Sequence, residues 1–174
     1  MKFDLEEAIS ILGRTSGVLK TYLKGLSDNW TKPNEGENTW SPFDIIGHLI
    51  IGEKTDWMVR AEIILADNPD KDFVPFDMVA QFEYGKGKSL DELLDDFAML
   101  RSENLRKLRV MNLTNEQLLL TGIHPEFGNV SLQELLSTWV AHDLGHIAQI
   151  SRVMAKQYKD EVGPWIKYLG ILKK

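Results

Sequence analysis

The sequence predicts an all-α protein, a four-helix bundle forming a single domain over residues 1–174, with a long aromatic-rich connection between helices 2 and 3. Three observations predict it. Helix-start signals recur along the chain, each a Ser, Thr or Asp followed three residues later by an acidic residue or Gln. The stretches behind them carry apolar residues at three- and four-residue steps, the spacing of one buried helix face. No stretch of useful length alternates apolar and polar residues as a half-buried strand does.

The elements follow in order. Asp4 with Glu7 opens the first helix, expected over about residues 4–27, with Leu5, Ile9, Leu12, Leu19, Leu23 and Leu26 as its buried stripe. A polar loop leads to Ser41, an N-cap with Pro42 at the first helical position and Asp44 in the first turn. The second helix is expected over about residues 41–66, ended by Asp67-Asn68-Pro69-Asp70. From Asp67 to Lys88 the chain holds Pro69, Pro75, Gly85 and Gly87 among Phe73, Phe76, Phe82 and Tyr84, a connection long enough to suggest a functional segment. Ser89 with Glu92 opens the third helix, about residues 89–111, and Thr114 with Gln117 a short one. Gly122 to Asn129 reads as a turn-rich loop. Ser131 with Glu134 opens the last long helix, to about residue 159, and a tail with Trp165, Tyr168 and Leu169 is expected to pack on the bundle.

Composition bounds the chemistry. With 43% apolar and 26% charged residues in 174, the chain suits one domain with a substantial core. There is no cysteine, so a metal must be held by nitrogen and oxygen, and any thiol nucleophile must come from outside. The start, Met-Lys-Phe-Asp-Leu-Glu-Glu, lacks the apolar run of a signal peptide, and no stretch approaches a membrane span, so a cytoplasmic protein without a membrane partner is expected. Net charge is −6 and the basic residues are scattered, which argues against nucleic-acid binding.

Against this background the histidines stand out. The chain has four, and three lie in apolar helical runs: His48, His142 and His146. Residues four apart lie one above the other on a helix face, so His142 and His146 can share a metal ion. A third imidazole from a facing helix, His48, would complete a three-nitrogen site with an open position, as in catalytic rather than structural zinc sites. Each of these three is also a possible core histidine bonded to a backbone carbonyl. Gly47, Gly52 and Gly145 sit beside or one turn from them, although glycine inside a helix costs about 1 kcal/mol against alanine; close helix packing and room for a ligand both account for that. Asp44 and Gln149 are spaced to orient an imidazole. His124, before Pro125 in the loop, is left out of the site.

The combination resembles the DinB-like superfamily, also described as the DinB/YfiT group. The matching pieces are Trp40-Ser41-Pro42 leading into Ile45-Ile46-Gly47-His48-Leu49, then His124-Pro125-Glu126-Phe127-Gly128 leading into Ser131 to Leu136, then His142-Asp143-Leu144-Gly145-His146-Ile147-Ala148-Gln149. The resemblance implies a four-helix bundle with a divalent metal, zinc or nickel foremost, on His48, His142 and His146, and frequent homodimers. It also implies an enzyme acting on a small molecule. Some relatives transfer groups with a low-molecular-weight thiol such as bacillithiol or mycothiol, and one is a maleylpyruvate isomerase.

The expected function is therefore metal-dependent catalysis, either hydrolysis or thiol-dependent transfer. Asp44, Glu53 and Asp56 are base candidates, unranked, and no residue is assigned as catalytic. Arg60 and Arg101 are either solvated helix arginines or anchors for an anionic substrate. The other class of reading is a non-catalytic metal- or small-ligand-binding stress-response protein.

Overall fold

A computed structural model describes residues 2–173. Its helices are α1 (Leu5–Leu23), α2 (Asp28–Thr31), α3 (Pro42–Thr55), α4 (Trp57–Leu65), α5 (Ala80–Tyr84), α6 (Leu90–Val110), α7 (Asn115–Leu118) and α8 (Leu132–Lys156). Strands β1 (Thr121–His124) and β2 (Gly128–Ser131) precede α8, and two short 3₁₀ turns, Gly163–Lys167 and Gly170–Leu172, follow it. Four long segments form the bundle: α1, α3 continued by α4, α6, and α8. Helix α6 packs on α1 and α3, and α8 packs on α1, α3 and α4. Among the described residues no helix is long and apolar enough to cross a membrane.

The expected starts hold because each cap is made. Asp4 accepts from the Glu7 N–H, and Ser41, Ser89 and Ser131 each close a reciprocal box with Asp44, Glu92 and Glu134. Each such cap is worth about 1 kcal/mol against alanine. The ends and interiors differ from the periodicity. Helix α1 stops at Leu23 because Lys24 is extended and Gly25 takes φ 78°, so Leu26 lies at the surface. The second bundle segment breaks at Asp56 (φ −117°, ψ −81°), where α3 hands over to α4. Apolar spacing runs through that break unchanged, so periodicity could not show it.

Two further expectations are corrected. The loop from Gly122 to Asn129 is a β-hairpin, with Thr121 opposite Ser131 and His124 opposite Gly128. Pro125 and Gly128, at φ 72°, are the turn chemistry for it; the flanking strands are too short for alternation to show. The tail places Leu172 against the bundle instead of its aromatic residues, leaving Trp165 and Tyr168 69% and 73% exposed.

The long connection is anchored rather than loose. Phe73 bonds its N–H to Ile123 O at 2.9 Å and buries its ring beside Ile64. The ring lies directly over Gly122, where a Cβ would meet it at 2.4 Å and Ile64 at 3.0 Å. Gly122→Ala is therefore expected to destabilise the fold by about 1–3 kcal/mol, the usual cost of overpacking. Urea unfolding checks this; an unchanged midpoint would show that Phe73 is free to move.

The core has two apolar clusters. One gathers Leu12, Trp57, Leu105 and Trp139, the other Leu19, Ile50, Phe97 and Ile150. Between them along each helix lie Thr15, Glu53, Arg101 and Asp143, all buried.

Candidate metal centre

Helix α3 is buried on nearly every side, and His48 sits in its middle, 6% exposed. His142 and His146 face it from α8. The Nε2 atom of His142 lies 3.0 Å from Nε2 of His48 and 3.0 Å from Nε2 of His146. These three residues form a cluster compatible with a metal site, all their ligand atoms lying within 4.8 Å of one another.

The chemistry of the three rings fits a cation at their focus. The Oε1 atom of Gln149 lies 2.8 Å from Nδ1 of His146, the geometry for an Nδ1–H donor, which leaves Nε2 of that ring a bare lone pair. With neutral rings, His142 Nε2 has either one proton or one lone pair to serve two contacts at 3.0 Å, so one of them is left without a full hydrogen bond. A metal removes that conflict. Two imidazole nitrogens on one metal at about 2.1 Å sit roughly 3.0–3.4 Å apart, which the observed separation matches. The rings are also held neutral. Burial, reinforced by the neighbouring imidazoles, pushes His48 down to about 3; burial, with His146 and Arg101, does the same to His142. Burial lowers His146 as well, opposed by Gln149.

Aromatic packing orients the rings. Trp40 lies 4.7 Å from the His48 ring and Phe76 5.1 Å, while Trp57 meets His142 at 5.1 Å. The Nδ1 atoms of His48 and His142 have no hydrogen-bond partner. The site opens on a cavity of about 370 Å³ walled by Trp40, Trp57, Phe76 and Met78, with Gly52 and Asp56 on the same wall as the histidines. Gly52 is needed there, since a Cβ would come within 3.0 Å of the Trp57 indole nitrogen. Gly47 has a different role, letting the backbone of Gln81 in α5 close on α3, and Gly145 faces open space.

The structure separates the carboxylates that sequence left unranked. Asp44 does not orient His48: its Oδ2 accepts from the backbone N–H and hydroxyl of Ser41, at 3.0 and 2.6 Å. Glu53 faces away from the cavity into the core, accepting from Arg101, Asn104 and Trp139. Asp56 alone of the three lines the cavity. Its Oδ1 lies 2.5 Å from Nε of Arg60 in a charge contact not aligned as a hydrogen bond. Burial, opposed by that arginine, raises its carboxyl to about 6. Neither arginine is solvated or free for a substrate: Arg60 is taken by Asp56, and Arg101 is 1% exposed inside the bundle. His124 lies in the hairpin, accepting on Nδ1 from the Glu126 and Phe127 N–H groups and stacking on Phe127. Met78 is a wall residue that nothing local in the sequence singles out.

Fold and site together define a class: a helical bundle whose facing helices bring three histidines to one cavity. The chain belongs to the DinB superfamily, whose family model matches residues 11–150. Among solved structures it is similar to YfiT from Bacillus subtilis, described as a probable metal-dependent hydrolase with an unusual four-helix bundle topology. The two share 17% identity at a TM-score of 0.72, over 92% of this chain and 90% of that one. At that identity the likeness shows the shared fold. Comparison with curated protein sequences gives no match.

Proposed function

We propose that the chain is a metal-dependent hydrolase, with His48, His142 and His146 as the ligands of one divalent metal and Asp56 as the proton acceptor. The observation that carries this reading is the convergence of three neutral imidazoles on a cavity that also holds one unaligned carboxyl, which burial raises to about 6. A divalent metal there would polarise the substrate's electrophilic group and bring the pKa of a water molecule towards about 7. The work of the chain's own residues follows from their placement. Asp56, near neutrality, takes the proton of the attacking nucleophile and can return it to the leaving group. Arg60 holds that carboxyl in place and stabilises its ionised form. Trp40, Trp57, Phe76 and Met78 exclude bulk water and seat an apolar part of the substrate. A small external thiol could serve as the nucleophile in the same arrangement, losing its proton to Asp56, since the chain supplies no thiol itself.

The test is a screen of ester, amide and phosphoester hydrolysis and of thiol transfer, run on metal-loaded and chelated protein. Turnover that vanishes on chelation and falls about 10²- to 10⁴-fold in Asp56→Asn, with metal content unchanged, is the expected result. Silence across the screen with the metal fully loaded would favour a binding protein.

A further inference from the structure

A buried polar layer crosses the bundle directly beneath the histidines. All four bundle segments contribute to it: Thr15 from α1, Glu53 from α3, Arg101 and Asn104 from α6 and Asp143 from α8. Arg101 is the hub. Its Nε and Nη2 donate to Glu53 Oε1 at 3.0 and 2.7 Å, and its Nη1 and Nη2 donate to Asp143 at 2.5 and 3.1 Å. Its Nη1 also reaches the Leu12 carbonyl at 2.9 Å, and the Thr15 hydroxyl donates to Asp143 at 2.7 Å. Every hydrogen-bond partner of the Glu53 oxygens is a donor, from Arg101, Asn104 and Trp139, and these bonds oppose the burial that pushes its carboxyl up.

We propose that Arg101 is a positioning residue for the metal centre, fixing the register of α3 against α8 so that His48 meets His142 and His146. The proposal rests on the three-histidine reading of the site. Two observations support it. The two carboxylates it joins stand on the ligand-bearing helices, Glu53 five residues after His48 and Asp143 beside His142. At the histidines themselves the polar contact between the two helices is His48 Nε2 to His142 Nε2, between the proposed ligand atoms; His48 and His142 lack a partner at Nδ1, and Nδ1 of His146 is bonded to Gln149 of its own helix. The relative placement of the rings therefore depends on where the two helices sit. The polar layer between the two apolar clusters sets that placement, because sliding either helix by a turn would strand buried charges. The layer acts through the ligands rather than on substrate.

The test uses the full chain with Co²⁺ as the probe, comparing affinity by chelator competition and the visible spectrum of the bound ion. Arg101→Lys keeps a charge but loses the two-pronged fork, and Thr15→Val removes one bond to Asp143 with little change of shape. Leu108→Ala, a buried core truncation on the same helix, is the stability control. Arg101→Lys is expected to fold, to bind Co²⁺ roughly 10- to 100-fold more weakly, as for loss of groups that orient ligands, and to shift the absorption bands. Thr15→Val shifts both measures in the same direction by less. Leu108→Ala lowers the unfolding midpoint and leaves affinity and spectrum as in the wild type. Wild-type affinity and spectrum in folded Arg101→Lys, or an equal loss in Leu108→Ala, would overturn the proposal. If Arg101→Lys does not fold, Thr15→Val decides by the same measures. Wild-type protein that takes up no Co²⁺ would instead overturn the three-histidine reading beneath it.

Discussion

Replacing His142 by alanine is expected to reduce metal uptake to background while leaving the far-ultraviolet circular dichroism of a folded helical protein. His142 is the middle ring of the three, in contact with both others at 3.0 Å. Its loss leaves two imidazoles without their common neighbour, and the fall in affinity should exceed the roughly 100-fold attached to loss of a group that merely orients a ligand. The fold should survive because its apolar clusters and capped helix starts do not pass through this ring. His124→Ala, in the hairpin, is expected to bind metal as the wild type does. Chelator competition on both variants checks this. Equal loss in the two, or full uptake by His142→Ala, would contradict the assignment.

The second large effect is acid sensitivity of the metal-free protein. His48 and His142 are held near 3 in the fold, against 6.5 for an unperturbed histidine. Between those values the unfolded chain binds more protons than the folded one, so stability is full above about pH 6.5 and falls as pH drops towards 3. Each histidine contributes about 1.4 kcal/mol per pH unit inside that window. From pH 7 to pH 5 the pair should cost of order 4 kcal/mol. Asp56 acts in the opposite sense, since its carboxyl titrates near 6 in the fold and protonation there favours the folded state, offsetting about 1 kcal/mol over the same interval. The expected net loss is about 2–3 kcal/mol, read from urea unfolding of metal-free protein at the two pH values. Stability that stays flat, or rises, would show that the histidines are not buried as neutral rings.

The bundle was legible because its signals are local. Ser41, Ser89 and Ser131 announce their helices within four residues, and the leucine stripes behind them follow one period. The histidine cluster was legible for the same reason in part, since the four-residue step from His142 to His146 is a fact of one helix. That His48 faces them is tertiary, and it was reached through the family resemblance and the placement of His48 on a second apolar helix. What escaped was the helix break at Asp56, where apolar spacing runs straight through, and the short hairpin, whose turn residues outweigh any strand pattern.

The buried charge layer left a sequence signal that periodicity could have exposed. Arg101 falls four residues after Phe97 and four before Leu105, and Asp143 four after Trp139, so both charges occupy the apolar stripe itself. Glu53 likewise stands three after Ile50 and four before Trp57. A charge on a stripe is either solvated by an imperfect helix face or paired inside, and only the facing helices decide which. Ranking Asp44, Glu53 and Asp56 required the same tertiary information: one carboxylate is spent on a cap, one on the core, and one on the cavity wall.

Metal analysis of the purified full-length protein, combined with X-ray absorption at the edge of the metal found, tests the central claim most directly. One divalent metal per chain, with three imidazole nitrogens at about 2.0–2.1 Å, is the predicted result. A chain that stays metal-free in the presence of excess zinc and nickel, or a metal bound without imidazole ligands, would contradict it.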